Sequence, residues 1–334
     1  MSRFRSSAPR LFITGKWART TFPYPSPLAW AVLALVIVTD IVWAVLGGFH
    51  VSENSLSNLG LAALCLTMLS GFCLYGRGRD DLAGVVAWAS ATLFIIPFSI
   101  ACIVLTYLAA SVAMPLQDAR FAAIDQALGF DWVGLLRFVN EHGHFGRLTS
   151  AIYNTAFPEL ALIVLLLGLT KRTNELRELI DIYWITLLIT IVLSGLFPAL
   201  APFTHYNVAL ADFPVVQPNA GITFVPDYLA LRSGTYDTFN FAHMEGLITF
   251  PSFHAALAVM MAWSLRHMPV LRLAGLVYSG LMFIATLTEG GHYLADVVAG
   301  SLLVIAAIAA RHALTRREKP APAIAPLQAL QGFD

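Results

Sequence analysis

The sequence predicts an all-α polytopic transmembrane helix bundle of about eight spans, and three observations carry that prediction. Of the 334 residues, 58% are hydrophobic and only 12% are charged, against ~45–50% and ~25% in soluble domains. Mean hydropathy is +0.72. The apolar residues gather into eight stretches near the ~20-residue length that a spanning helix needs. Twenty basic residues balance twenty acidic ones, a poor fit to a nucleic-acid binder with its basic excess. High hydrophobicity with low charge also excludes a disordered chain. Cys65, Cys73 and Cys102 all lie inside apolar runs. They have neither a disulfide framework nor metal-ligand spacing, and read as buried thiols.

In order, the stretches run over about 28–49, 56–75, 82–109, 148–169, 180–201, 252–265, 271–287 and 293–310. The first is too long and too late for a cleaved signal peptide and is expected to be retained. The fourth carries Pro158, tolerated in a span where neighbours satisfy the freed carbonyl. The sixth is short. The basic residues test the count, because cytoplasmic loops collect Lys and Arg. Eight spans with both termini cytoplasmic place 16 basic residues on one side and only Arg120, Arg137, Arg147 and Arg232 on the other. Residues 1–27 then form a cytoplasmic N-terminal tail and 28–314 a single transmembrane domain in the cell membrane. Its catalytic half is roughly 180–311. The Pro/Ala/Gln-rich residues 315–334 read as a disordered cytoplasmic tail.

Two outer segments are long. About 111–147 carries apolar residues at helical spacing with charges between them, which suggests one or two short interfacial helices. The loop 202–250 is rich in Pro, Asp, Asn, Thr and aromatics, and long loops of this kind are usually functional when they are not disordered.

Two segments offer chemistry. Thr249-Phe250-Pro251-Ser252-Phe253-His254 opens the sixth span, and Gly290-Gly291-His292-Tyr293-Leu294-Ala295-Asp296 opens the eighth. One helix inward and one helix outward separate the two histidines, so both should return to one depth on the outer side. Pro251 suits a first helical turn, whose outward N–H groups favour an anion, and Ser252 adds a hydroxyl donor. His292 and Asp296 are four apart and share a helix face. The carboxylate can then fix the ring tautomer and stabilise its positive charge, the activating arrangement of nucleophilic catalysis. Gly290 and Gly291 let the backbone turn tightly and approach a ligand. A single interfacial His is ordinarily a polar tip facing water. A carboxylate one turn inside a span is costly and functional by default, so the pair outweighs that bland reading.

These residues resemble the type-2 phosphatidic acid phosphatase superfamily. Its Pro-Ser-x-His motif matches Pro251-Ser252-Phe253-His254, and its His-x-x-x-Asp motif matches His292 and Asp296. The strings FPSFHAA and GHYLADVVAG, with the Gly-Phe-Asp-Trp run at 129–132, are similar to the inositolphosphotransferase (aureobasidin-resistance, inositol phosphorylceramide synthase-like) branch. The resemblance covers about three fifths of the chain, from 111 to 310. It implies phosphoryl transfer on membrane lipids without cofactor or metal. His292 would be the nucleophile that becomes a phosphohistidine, Asp296 its activator, and His254 the acid that protonates the leaving alkoxide. The family's first motif, a Lys and an Arg-Pro pair, is absent around 197–206, and Thr286 stands where the third motif has an arginine. Arg232, the only Lys or Arg in the second outer loop, is the natural substitute for holding phosphate, together with Ser252 and Gly291. His205 and His243 are weaker candidates for the same pocket and read first as structural or solvated.

The expected activity is therefore a phospholipid head-group phosphotransferase acting at the outer leaflet. The first alternative is a phosphatase of phosphatidic acid or isoprenyl diphosphate, with water as acceptor. A transporter would use the intramembrane acids Asp40 and Glu159, but no repeat is visible and the polar clusters sit at one surface. A hydrolase using Ser252 lacks its expected Gly-x-Ser-Gly context, and an inactive relative would follow from the lost arginines. Expected partners are membrane lipids, with no nucleic acid; the sequence does not address oligomeric state.

Overall fold

The structure is a computed structural model that describes residues 25–216 and 218–317, with the side chains of 219 and 315–317 excepted. The expected N-terminal tail up to residue 24, and the C-terminal tail from residue 318, lie outside the described residues. The long helices are α1 (Pro27–Gly47), α2 (Glu53–Tyr75), α3 (Ala83–Ser111), α8 (Thr173–Leu196), α13 (Pro269–Thr288) and α14 (Leu294–Arg317). Between them lie α4 (Asp118–Ala127), α5 (Trp132–Glu141), α6 (Gly143–Tyr153), α7 (Ala156–Leu169), the single turns α9 (Pro202–His205) and α10 (Asn219–Ile222), α11 (Val225–Ser233) and α12 (Phe253–Ser264).

Six of these helices are long and apolar enough to cross a membrane, and α6 with α7 passes the same test as one span bent by 56°. The sixth expected span corresponds to α12, which has 12 residues, roughly 18 Å at 1.5 Å per residue against a ~30 Å hydrocarbon core. It is short because residues 247–252 enter the bundle as irregular, non-helical chain whose polar groups bond sideways. Leu247 N donates to Thr106 Oγ1 at 3.1 Å and Thr249 Oγ1 donates to the Ala199 carbonyl at 2.9 Å.

Local chemistry explains the helix ends. Ser26 accepts from Ala29 N ahead of Pro27, and Ser52 accepts from Ser55 N to start α2, both ordinary N-caps. The buried stripe of α1 is Ala29, Leu33, Val36 and Asp40, spaced by four, three and four, which is one helix face. Helix α3 lies at the centre, packed against α1, α2, α7, α8 and α11. Phe94, Phe98, Leu167, Leu176, Tyr183, Leu257 and Val304 form the main core, with Phe94 and Phe98 stacked at 5.1 Å.

Large side chains such as Leu35, Leu46, Leu61, Met68, Val270 and Leu302 face outward, as lipid-facing helix surfaces require. The reading of three buried thiols holds for Cys102 alone; Cys73 is half-buried and Cys65 is exposed. Both of the latter are on α2, whose helix neighbour is α3, so most of its circumference lies outside the core. Asp40 is buried, and its Oδ1 has no hydrogen-bond partner, so that oxygen makes no bond to a neighbouring helix.

The two ends of the bundle are built differently. At one end Lys171 Nζ donates to the Asp80 carbonyl. There Glu178 accepts from Trp263 Nε1, Arg266 and His312, while Arg311 Nε reaches Asp181 at 3.1 Å. The α2–α3, α7–α8 and α12–α13 turns, the first turns of α8 and the last turns of α12 and α14 carry these residues. At the other end the shorter helices form a cap. His50–Val51 pairs in parallel with Thr238–Phe239, and the Ser55 hydroxyl accepts from Phe241 N at 2.8 Å. The turn between α1 and α2 is thereby clipped to the long loop between α8 and α12. Helices α4 and α5 occupy the segment in which short helices were expected. Trp132, at the start of α5, donates to the Leu287 carbonyl at 3.0 Å and packs edge-on to Phe203 at 4.8 Å.

Candidate active site

The capped end contains a cavity of about 240 Å³ whose wall includes both His254 and His292. Each histidine arrives on a separately braced segment. Ser252 caps α12, its oxygen accepting from Ala255 N at 3.4 Å, and its own N–H donates to the Asp296 carbonyl of α14 at 3.0 Å. The starts of α12 and α14 are thus bonded to each other. Gly300 permits the approach, because a Cβ there would overlap the Ser252 carbonyl oxygen.

The second segment turns at Gly291, where φ is +61° and a Cβ would lie 2.9 Å from Phe203 Cδ2. A side chain is excluded there by conformation and by space. Helix α14 then starts against carboxylates, which suit the unpaired N–H groups and positive dipole of a helix N-terminus. Asp125 of α4, fully buried, accepts from Leu294 N at 2.8 Å and Ala295 N at 3.0 Å. Asp118 accepts from the Tyr293 hydroxyl at 3.0 Å. Asp296 Oδ2 accepts from Tyr293 N at 2.9 Å and lies 3.3 Å from His292 Nδ1.

His292 is 4% exposed. Burial pushes its ring down to about 4, against the opposing effect of a hydrogen bond with the Thr249 backbone. A ring that is neutral at pH 7, with Nδ1–H directed to Asp296, carries its lone pair on Nε2 and is chemically a nucleophile. His254 is held by aromatic rings: Tyr153 stacks on it at 4.4 Å, Phe157 meets it edge-on at 5.7 Å, and the Tyr153 hydroxyl lies 3.4 Å from Nδ1.

The bend between α6 and α7 supplies part of this wall. It falls at Asn154–Thr155 and not at Pro158, which sits in the first turn of α7 where its missing N–H costs little. Tyr153, Asn154 and Phe157 line the cavity. Glu159 does not; its carboxyl is beside the Tyr278 hydroxyl. Glu245, Thr249 and Gly290 complete the polar part of the wall.

The structure brings His254, His292 and Asp296 together and leaves the three expected phosphate-binding groups outside the cavity wall. Arg232 on α11 donates to the Met114 carbonyl at 2.8 Å and lies over the Tyr228 ring. It serves as a tie between α11 and the chain after α3. Ser252 is fully buried and engaged as a helix cap. Gly291 packs on Phe203 and Gly221, while Gly290 faces the cavity. His205 packs edge-on to Tyr206 and His243 is exposed. Among the described lining residues there is no Lys or Arg. Sequence reading missed Tyr153, Asn154, Glu245, Asp118 and Asp125. The one signal present was the cost of placing acids so near apolar spans.

A PAP2 superfamily model matches residues 119–310 of the chain. The protein belongs to the PAP2 superfamily, whose members are generally phosphatases and phosphotransferases acting on lipid phosphates. The matched region begins in α4 and ends in α14, so it takes in both histidines, Asp296 and Asp125, and starts one residue after Asp118. No curated protein and no solved structure matches the chain.

Proposed function

We propose that this protein is a membrane-embedded lipid phosphotransferase that works through a phosphohistidine on His292. The observation that carries the reading is the single cavity shared by His254 and His292, with the Asp296 carboxylate 3.3 Å from His292 Nδ1. His292 Nε2 attacks phosphorus in the donor lipid while His254 delivers a proton to the departing alkoxide. Asp296 stabilises the positive charge that develops on the His292 ring. An acceptor hydroxyl then takes the phosphoryl group and regenerates the imidazole. No metal ion or cofactor is required by these steps.

The wall supports a phosphodiester as donor. Without a Lys or Arg among the described lining residues, and with Glu245 present, a dianionic phosphate monoester meets repulsion with little compensation. A monoanionic diester suffers less. The transferred group is then a phosphoryl-linked head group, as in inositol phosphorylceramide synthesis. Hydrolysis of a lipid phosphate is the second reading, and superfamily membership favours it. The 16-to-4 division of basic residues supports an active site at the outer leaflet of the cell membrane.

The test is turnover by the purified protein in the presence of a chelator. The substrates are phosphatidic acid, an isoprenyl diphosphate, and phosphatidylinositol together with ceramide. Turnover that survives chelation and vanishes in His292→Ala is expected. Absence of turnover on every lipid phosphate, with solute transport in liposomes instead, overturns the reading.

A further inference from the structure

We propose that Glu245 is the acceptor-side base of the site: its carboxylate binds the incoming hydroxyl and takes its proton as the phosphohistidine is discharged. This rests on the phosphohistidine reading above and adds a residue that neither sequence motif contains. Glu245 lies in the loop before α12 and lines the same cavity as His254 and His292. It is the only carboxylate among the described residues of that wall. Its Oε1 accepts the Thr223 hydroxyl at 2.6 Å. One oxygen is therefore fixed from the cap, which orients the group.

A carboxylate facing a phosphoryl group is repulsive. Its presence in a wall without Lys or Arg makes chemical sense when a hydroxyl proton stands between the two. Partial burial raises its carboxyl above the usual range, with Asp227 acting in the same direction and Thr223 in the opposite one. That shift improves it as a proton acceptor at neutral pH.

The reaction handles two different oxygens. His254, clamped between Tyr153 and Phe157, gives the leaving one a proton that it takes up from solvent before each turnover. With Glu245 in the same cavity, the second oxygen has a base of its own. The acceptor can then be deprotonated whether or not the first product has departed. In the discharge step the acceptor oxygen forms a bond to phosphorus and the P–N bond to His292 breaks. The bonding pair returns to the imidazole, and the hydroxyl proton moves to Glu245. The resulting carboxylic acid later returns that proton to solvent.

The experiment separates the two half-reactions. Full-length protein in detergent is mixed with bis(4-nitrophenyl) phosphate or 4-nitrophenyl phosphate, with water alone or with dioctanoylglycerol as acceptor. The burst of nitrophenolate reports phosphoenzyme formation, and the following steady rate reports discharge. For Glu245→Gln we expect a burst of wild-type amplitude and a rate no slower than wild type, since a repulsive charge is removed, and a steady rate lower by about 10²-fold, the lower range of general-base contributions. Thr223→Val, which keeps the carboxylate but frees it, should slow discharge by a smaller factor with the burst intact. An unchanged steady rate in Glu245→Gln overturns the assignment. A burst and a steady rate that fall together overturn it as well, since they mark a residue that only supports the fold. Absence of any burst in the wild-type protein overturns the phosphohistidine reading and this proposal with it.

Discussion

Gly300 of α14 lies so close to the Ser252 backbone that a Cβ at position 300 would overlap the Ser252 carbonyl oxygen, with the carbonyl carbon 3.1 Å away. Ser252 N–H in turn donates to the Asp296 carbonyl at 3.0 Å. One glycine therefore sets the distance between the helix that presents His254 and the helix that presents Asp296. Its role is spacing between the two segments that carry the proposed catalytic residues, without contact to the cavity itself.

Gly300→Ala should accordingly disturb both stability and rate. Overpacking of this kind costs ~1–3 kcal/mol, and the two histidines must separate to relieve it. We expect a lower thermal midpoint and a kcat reduced at least tenfold in the protein that remains folded. Retention of full kcat would show that the inter-helix spacing is not under catalytic control.

Asp296→Asn keeps the shape of the pair and removes its charge. The amide can still accept from Tyr293 N, so the first turn of α14 should persist. The imidazolium formed on attack loses its counter-charge, and kcat should fall on the order of 10²–10⁴-fold. Acid-quench trapping of labelled phosphoenzyme provides the check: the rate of labelling should drop while the fold, read by circular dichroism, is retained.

The pH response follows from burial of His292, whose ring is held down to about 4 against ~6.5 when solvated. In the free enzyme the proposed nucleophile stays neutral well into acid, so the contribution of this ring to the acidic limb of kcat/KM should lie near 4. The same shift links to stability. Between pH ~6.5 and ~4 the unfolded chain binds a proton that the native ring refuses, so stability falls as pH falls through that window. His292→Gln should flatten the stability slope there. An unchanged slope in that variant would assign the acid sensitivity to other groups.

At the opposite end, Glu178 is 4% exposed and joins α8 to Arg266 after α12 and to Arg311 and His312 of α14. Removing one member of a buried charge network leaves the rest uncompensated. Glu178→Ala should therefore destabilise by about 2–4 kcal/mol, read as a lower thermal midpoint. The candidate active-site cavity lies at the other end, so activity per folded molecule should be preserved.

Much of this protein is written along the chain. Runs of apolar residues give the long helices, since a segment that can face hydrocarbon must satisfy its own backbone. The four-residue spacing of His292 and Asp296 puts them on one helix face before any packing occurs. The pairing of His254 with His292 also follows, because one helix inward and one outward returns the chain to the same end.

What the tertiary structure decided are the contacts that cross between distant segments. Tyr153 lies 101 positions before the histidine it stacks on, and Asp125 lies 169 before the amide it caps. No local periodicity encodes such pairs, because they form only when the cap closes over the bundle. The fate of Arg232 was decided in the same way. As the only Lys or Arg of its loop it suited phosphate on composition, yet the carbonyls of Ala113 and Met114, left open after α3, claimed its donors. The shortness of α12 is likewise tertiary in origin, since residues 247–252 give up helical hydrogen bonds for partners on α3, α14 and the chain beyond α8. The sequence by itself determined which residues could do chemistry; packing determined which of them share a cavity, because only packing brings distant backbone and side-chain donors within hydrogen-bond reach.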